Sequence, residues 1–319
     1  MTTYVTKFPA EADRYRAPSL LEGALRTELT PEGCDLGYWF RAVPEGTLGG
    51  DAMGRSADVP VPAHMLEEGP LRQALMQELA FRSMAEEKAA RAISFLVAYA
   101  PDLAAMDFYT SQLMDEARHA YAFRSHLLEL GTPADQLEET MESLAGADRD
   151  AVLTPLEEFG LSVLEKDRDY IGGVITLTVL VEGVLAPTAE LSERKWRPFD
   201  PPAAEIERAA GIDEIRHLSV GSTIVRRHLR RYPEELDRVR ELVARGMDVW
   251  SRLPVQELTF RRERLYQAGL ERHGDIAGDY ELWPGRRLVD TTAEERMLAA
   301  AEWACTTQES RLADMGLTP

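Results

Sequence analysis

One five-residue pattern, Asp-Glu-x-Arg-His, occurs twice: Asp115-Glu116-Ala117-Arg118-His119 and Asp213-Glu214-Ile215-Arg216-His217. In a helix the Glu and His of each copy, three residues apart, project from one face. That face is otherwise apolar. Leu113, Ala120, Phe123 and Leu127 flank the first copy, and Ile206, Ala210, Gly221 and Ile224 flank the second. An ionised glutamate on an apolar stripe is costly unless a partner neutralises it. A divalent metal is the most economical partner, because carboxylate and imidazole both suit iron or manganese. The pattern therefore requires two helices whose apolar faces meet around cations.

Two more glutamates lie on apolar stripes. Glu86 is in line with Leu75, Leu79, Ile93 and Val97, within a narrow arc at about 100° per residue. Glu182 interrupts Ile171 to Pro187, the most apolar stretch of the chain. The order is thus Glu, then Glu-x-x-His, twice, at nearly equal spacing. Such a set supplies one Glu from each of two helices and a Glu-x-x-His from each of the other two.

The rest of the chain reads as helical. Ala, Leu, Glu and Arg are abundant, and no Val/Ile/Thr alternation suggests an extended sheet, so the fold class is all-α. Residues 1–70 are rich in Pro and Gly and are expected to form an irregular arm that wraps the core. Residues 71–231 are expected to form a four-helix bundle, with helices over about 71–99, 102–130, 156–195 and 203–231. Gly131 marks the C′ position of the second helix. A polar connection, Thr132 to Thr154, follows it, and the third helix is expected to break at Pro187. Residues 232–319 are expected to pack on the bundle as accessory helices, over 234–250 and 292–312, with 272–290 loop-like.

Composition excludes some functions. With 55 acidic and 36 basic residues the net charge is −19, which repels phosphate backbones and argues against nucleic acid as a partner. The two cysteines, Cys34 and Cys305, fit no zinc or redox spacing and are expected to be reduced. Met1 to Ala10 has no apolar core of a signal peptide. The stretch Ile171 to Pro187 is too short and too charged for a membrane span. A cytoplasmic protein without membrane contact is expected.

On these residues the chain resembles the ferritin-like di-iron superfamily over about Leu71 to Arg231. It looks nearer to soluble oxygenases, acyl-carrier-protein desaturases and amine N-oxygenases than to storage ferritins. Among these it is most similar to natural-product N-oxygenases such as the azoxy-forming enzyme of the valanimycin pathway. The resemblance implies two Fe ions, cycling between Fe2+ and Fe3+, held by Glu86, Glu116, His119, Glu182, Glu214 and His217. Manganese or a mixed iron–manganese pair suits the same ligands. Asp115 would orient His217, and Asp213 would orient His119. Dioxygen is the implied co-substrate. The implied reaction is oxidation of a small organic substrate, with nitrogen oxidation (amine, hydroxylamine or hydrazine, including azoxy formation) the finer reading. An external electron donor, a ferredoxin or a reductase, and a homodimer also belong to that resemblance. The alternatives are an acyl-carrier-protein-type acyl desaturase or hydroxylase, and a non-enzymatic ferritin-like iron-binding protein. The charge of −19 counts against docking an acidic carrier, and the arm and accessory helices go beyond a storage bundle.

Rival residues are weighed on the same grounds. Glu87 is rotated about 100° from the Glu86 stripe, Glu78 lies at its edge, and Glu190 and Glu193 are expected to be solvated. His126 is about 10 Å along the axis from His119 and reads as a core or capping histidine. His228 is remote from His217, and His64 and His273 fall in loop-like contexts. Phe123 stands where ribonucleotide reductase radical subunits carry a tyrosine, which argues against that function. Arg118 and Arg216 are expected to pair with carboxylates outside the metal ligands, and Thr176 and Thr178 to pack between helices.

Overall fold

The computed structural model describes residues 8–21 and 23–317, so most of the stretch Met1 to Ala10 lies outside the described residues. Twelve α-helices are described: α1 Leu36–Ala42, α2 Ala63–Leu66, α3 Pro70–Tyr99, α4 Leu103–Glu129, α5 Leu137–Asp148, α6 Thr154–Leu161, α7 Tyr170–Ile175, α8 Glu182–Trp196, α9 Pro201–Arg231, α10 Leu236–Ser251, α11 Val255–Ala277 and α12 Ala293–Met315. Four helical runs build the core: α3, α4, the α7–α8 run and α9.

Local chemistry sets their ends. Asp102 caps α4 by accepting the Ala105 N–H, and Asp200 caps α9 by accepting the Ala203 N–H. Proline opens both α3 and α9, where a missing N–H costs nothing. Gly131, at φ 95°, ends α4 in the left-handed region, as its sequence position predicts. The α3–α4 connection is short, so the two helices pack side by side along their length. Their buried residues, among them Leu75, Leu79, Phe108 and Phe123, fill two main apolar clusters along the bundle.

Four expectations are corrected. The third helix does not break at Pro187, which lies inside α8. It breaks upstream, where Arg168 adopts φ 51° and Asp169 caps a new helix by accepting the Gly172 N–H. From there Tyr170–Trp196 is helical throughout, long and apolar enough by length to cross a membrane, but 83% of its most apolar window is buried inside the protein. Burial in the bundle, not shortness, accounts for its composition. Residues 272–277, expected as loop, belong to α11, with His273 at a kink (φ −124°, ψ 19°). A small antiparallel pair, β1 Glu281–Trp283 and β2 Arg286–Arg287, follows, turned by Gly285 at φ 76°. Both cysteines are free, Cys34 buried and Cys305 exposed.

The segment before α3 is tied to the bundle by polar contacts. The Ser219 hydroxyl on α9 donates to the Thr27 carbonyl (2.6 Å) and accepts the Leu29 N–H (2.7 Å). Arg311 on α12 donates to the Leu25 carbonyl.

Candidate metal centre

The two repeated patterns face each other across the bundle. Glu116 and His119 come from α4, Glu214 and His217 from α9, Glu86 from α3, and Glu182 from the first turn of α8. Their ligand atoms form two groups that share Glu116: Glu86, Glu116 and His119 in one, and Glu116, Glu182, Glu214 and His217 in the other. Within each group the atoms lie within 4.8 Å of one another. His119 Nδ1 is 3.1 Å from Glu116 Oε2 and 4.0 Å from Glu86 Oε2. His217 Nδ1 is 3.2 Å from Glu116 Oε1 and 3.7 Å from both Glu182 Oε1 and Glu214 Oε2. All six residues named from the sequence are thus brought together.

Both imidazoles are held from behind by the opposite pattern. His119 Nε2 lies 3.3 Å from Asp213 Oδ2, and His217 Nε2 lies 3.3 Å from Asp115 Oδ2. An aspartate at Nε2 keeps the proton there and leaves the Nδ1 lone pair facing the cluster. Burial opposes ionisation of Asp213, but the Arg216 guanidinium overrides it, with hydrogen bonds from His119 and charge from Arg118 adding to the effect. Its carboxyl is held well below the usual carboxylate range. Arg216 also donates to Asp115, and Arg118 donates to Asp213. Two guanidiniums, Arg216 and Arg118, set against two buried aspartates leave no charge there uncompensated.

The carboxylates facing inward are in the opposite situation. Burial pushes Glu116 and Glu214 far up, and neighbouring carboxylates push them further. Glu182 is pushed up to about 8 by burial, although Gln112 on α4 donates to its Oε1. Burial lowers His217, and its bond to Asp115 offsets only part of that. Among the described residues, Glu116 Oε1, Glu182 Oε2, Glu214 Oε2 and His217 Nδ1 are buried with no hydrogen bond. Buried polar atoms without partners are rare and costly. A set of four in one recess, all electron-pair donors, fits divalent cations. Four carboxylates also balance the charge of two such ions.

A local distortion places Glu182. The helix widens to a π-turn over Thr176–Val181, directly before Glu182, a feature frequent at functional sites. Side chains from the C-terminal helices satisfy the carbonyls that this turn exposes: Trp250 Nε1 donates to the Leu180 carbonyl, and Gln308 Nε2 to that of Val179 at 3.1 Å. Gly221 on α9 admits Thr178, since a Cβ there would lie 2.1 Å from its Oγ1.

The rivals fall elsewhere. Glu87 is half-exposed and pairs with Arg91. Glu193 pairs with Arg197. Glu190 is not solvated as expected. It is 6% exposed and pairs with Arg194, because α12 covers that side of α8. Glu78 is buried in a separate ionic network with Arg82 and Lys195. His126 is bound between Asp200 (3.1 Å) and Glu129 (2.9 Å). His64 is in α2 and His273 in α11, 5.6 Å apart ring to ring and away from the cluster. Phe123 is fully buried. Two contributors escape the sequence reading. Gln112 lies four residues before Glu116, so helical spacing alone places it on the ligand face. Trp39, from α1, donates its Nε1–H to Asp115 Oδ1 at 2.8 Å, and no periodicity signals it.

A cavity of about 280 Å³, lined mainly by apolar side chains of α3, α6 and the α7–α8 run, with Lys88, Arg91, Glu157 and Glu165 also on its walls, lies against this cluster. Ala85, Ala89, Val181 and Leu185 wall both the cavity and the recess that holds Glu86, Glu116, Glu182 and Glu214.

No family model and no curated protein matches the chain. Among solved structures it is similar to an R2-like ligand-binding oxidase with aerobically reconstituted metal cofactor after photoconversion, with a TM-score of 0.55 and 17% sequence identity over 82% of this chain and 91% of that one. The helix order, the paired long hairpins and this likeness lead to one conclusion: the chain has the all-α, ferritin-like helical-bundle fold.

Proposed function

We propose that this protein is a di-metal, dioxygen-dependent oxidoreductase acting on a small organic substrate, with iron as the resident metal. The observation that carries the proposal is the pair of ligand groups sharing Glu116, with partnerless oxygens and an Nδ1 aimed into one buried recess. Glu86 and His119 would serve one ion and Glu182, Glu214 and His217 the other, with Glu116 between them. Held by these residues, a reduced metal pair would supply the redox chemistry for dioxygen activation.

The chain's own residues set the conditions. Asp115 and Asp213 fix the imidazole protons on Nε2. Gln112 holds one oxygen of Glu182 and leaves the other free. The apolar walls exclude water and give the organic substrate a compartment beside Glu86. The similar solved structure is by its description a ligand-binding oxidase, which agrees with a cavity abutting the cluster. The finer reading is nitrogen oxidation of an amine, hydroxylamine or hydrazine in natural-product biosynthesis, on the strength of the motif resemblance. An acyl desaturase or hydroxylase reading is favoured by one feature, the apolar cavity itself.

Metal analysis tests the proposal. The purified protein should bind about two irons per chain, and its reduced form should consume dioxygen. Glu116→Ala and His217→Ala should each lose most of the metal and all of the oxygen consumption while keeping the helical circular-dichroism spectrum. A Glu116→Ala protein with two irons and full oxygen uptake would refute the ligand assignment. Ala89→Phe, at the wall between cavity and recess, should keep the metal and suppress substrate-dependent oxygen uptake at least tenfold, roughly 1.4 kcal/mol. Comparing amine-containing and acyl substrates in that assay separates the two finer readings.

A further inference from the structure

We infer that the substrate is a small carboxylic acid, held by its carboxylate on Arg262 in a polar cleft beside the metal recess, with its apolar remainder in the 280 Å³ cavity. The inference rests on the oxidoreductase reading for what becomes of the bound acid, not for the binding itself. The cleft measures about 110 Å³ and lies between α3, α8 and α11. Three spaces meet at one neck, since Ala85 and Leu185 wall the apolar cavity, the cleft and the recess alike. Glu86 lines both the cleft and the recess. A molecule lying across that neck has one end among charged groups, the other among hydrocarbon, and its middle beside a metal ligand.

The charges of the cleft select the sign of the polar end. Its acids are already engaged. Glu78 lies 3.8 Å from Arg82 and 3.5 Å from Lys195, and it accepts the Trp196 Nε1–H. Glu263 accepts from both Lys195 and Arg296. Among the described residues of the cleft, that leaves an incoming ammonium only the metal-facing Glu86. Arg262 is in the reverse position. It shares its counter-charge, Asp148, with Arg261, so two guanidiniums divide one carboxylate. Its guanidinium carbon sits 4.2 Å from the centre of the Phe81 ring. Its Nη2 donates to Asp148 Oδ2 at 3.3 Å, while its Nε–H is buried with no hydrogen bond among the described residues. Burial pulls its pKa below the usual value despite Asp148. A guanidinium is a planar fork that matches a carboxylate, and a buried charge short of a partner is costly until one arrives. The 110 Å³ of the cleft equals about three or four waters at ~30 Å³ each, enough for a carboxylate and the carbon next to it.

The experiment is isothermal titration calorimetry on the full-length, iron-loaded protein kept free of oxygen, with hexanoate, hexan-1-ol and hexylamine as probes. Hexanoate should bind tightest of the three. Arg262→Met keeps an unbranched stem over Phe81 and leaves Asp148 paired with Arg261, so the fold should survive. It should weaken hexanoate by about tenfold or more and leave hexan-1-ol unchanged. Arg262→Lys should restore part of the hexanoate affinity. A merely structural role for Arg262 would weaken acid and alcohol alike. Hexylamine binding tighter than hexanoate, equal losses for acid and alcohol in Arg262→Met, or hexanoate affinity indifferent to that change would each overturn the inference. The heats require no turnover, so these outcomes decide the carboxylate site even where iron loading or oxygen uptake fails, a failure that refutes the oxidoreductase reading instead.

Discussion

Single side chains divide here into two electrostatic populations. Glu116, Glu182 and Glu214 are buried with like charges and pushed up, whereas Asp213, equally buried, is held down by Arg216 and Arg118. The difference is the company each keeps, not its depth. The first group is arranged to trade protons for a cation, and the second to stay ionised and steer an imidazole. His126 shows the same rule outside the cluster. Burial alone would lower its pKa, but Asp200 and Glu129 override that and hold it above the ordinary 6.5. A raised histidine stabilises the fold fully below the unfolded value and loses that contribution as pH rises through the folded value. The melting temperature of His126→Gln should therefore fall furthest below the wild type at about pH 5.5, and the gap should narrow by about pH 8.5. A gap that widens with pH would show that His126 is bound as the neutral ring.

At the level of elements, the π-turn over Thr176–Val181 decides where Glu182 points. A wide turn leaves backbone carbonyls to be satisfied by other groups, and here the donors are Trp250 on α10 and Gln308 on α12. The C-terminal helices thus bear on the backbone that leads into Glu182. Trp250→Phe should keep the helical fold, since the ring still packs. By releasing the Leu180 carbonyl it should weaken metal binding by roughly tenfold, measured by competition with a chromogenic chelator. Unchanged affinity would mean the turn holds without its donor.

Across the whole molecule, the segment before α3 completes the surroundings of the cluster. It brings Trp39 to Asp115 and is fastened to α9 through Ser219. Removing that hydroxyl leaves a carbonyl and an N–H without partners, a cost of about 1–3 kcal/mol if both stay buried. Ser219→Ala should accordingly speed amide exchange over residues 27–29 by about tenfold or more, with little change in α3. Uniform acceleration across the chain would instead indicate a global loss of stability.

The sequence by itself determined the helical fold, the long hairpins and the six residues that converge, because each rests on local periodicity: charge on an apolar stripe is visible at 3.6 residues per turn. It also indicated the crossed pairing of Asp115 with His217 and Asp213 with His119, through resemblance rather than through spacing. What only the tertiary structure decided rests on contacts between residues far apart in the chain. The sequence placed the third-helix break at Pro187, yet that helix runs on through the proline and breaks instead at Arg168. Glu190 looked solvated until α12 was seen to cover it. Trp39, Trp250 and Gln308 carry no periodic signal, because their partners lie 70 or more residues away. Local pattern fixes which face of a helix is apolar, while only packing fixes what that face meets.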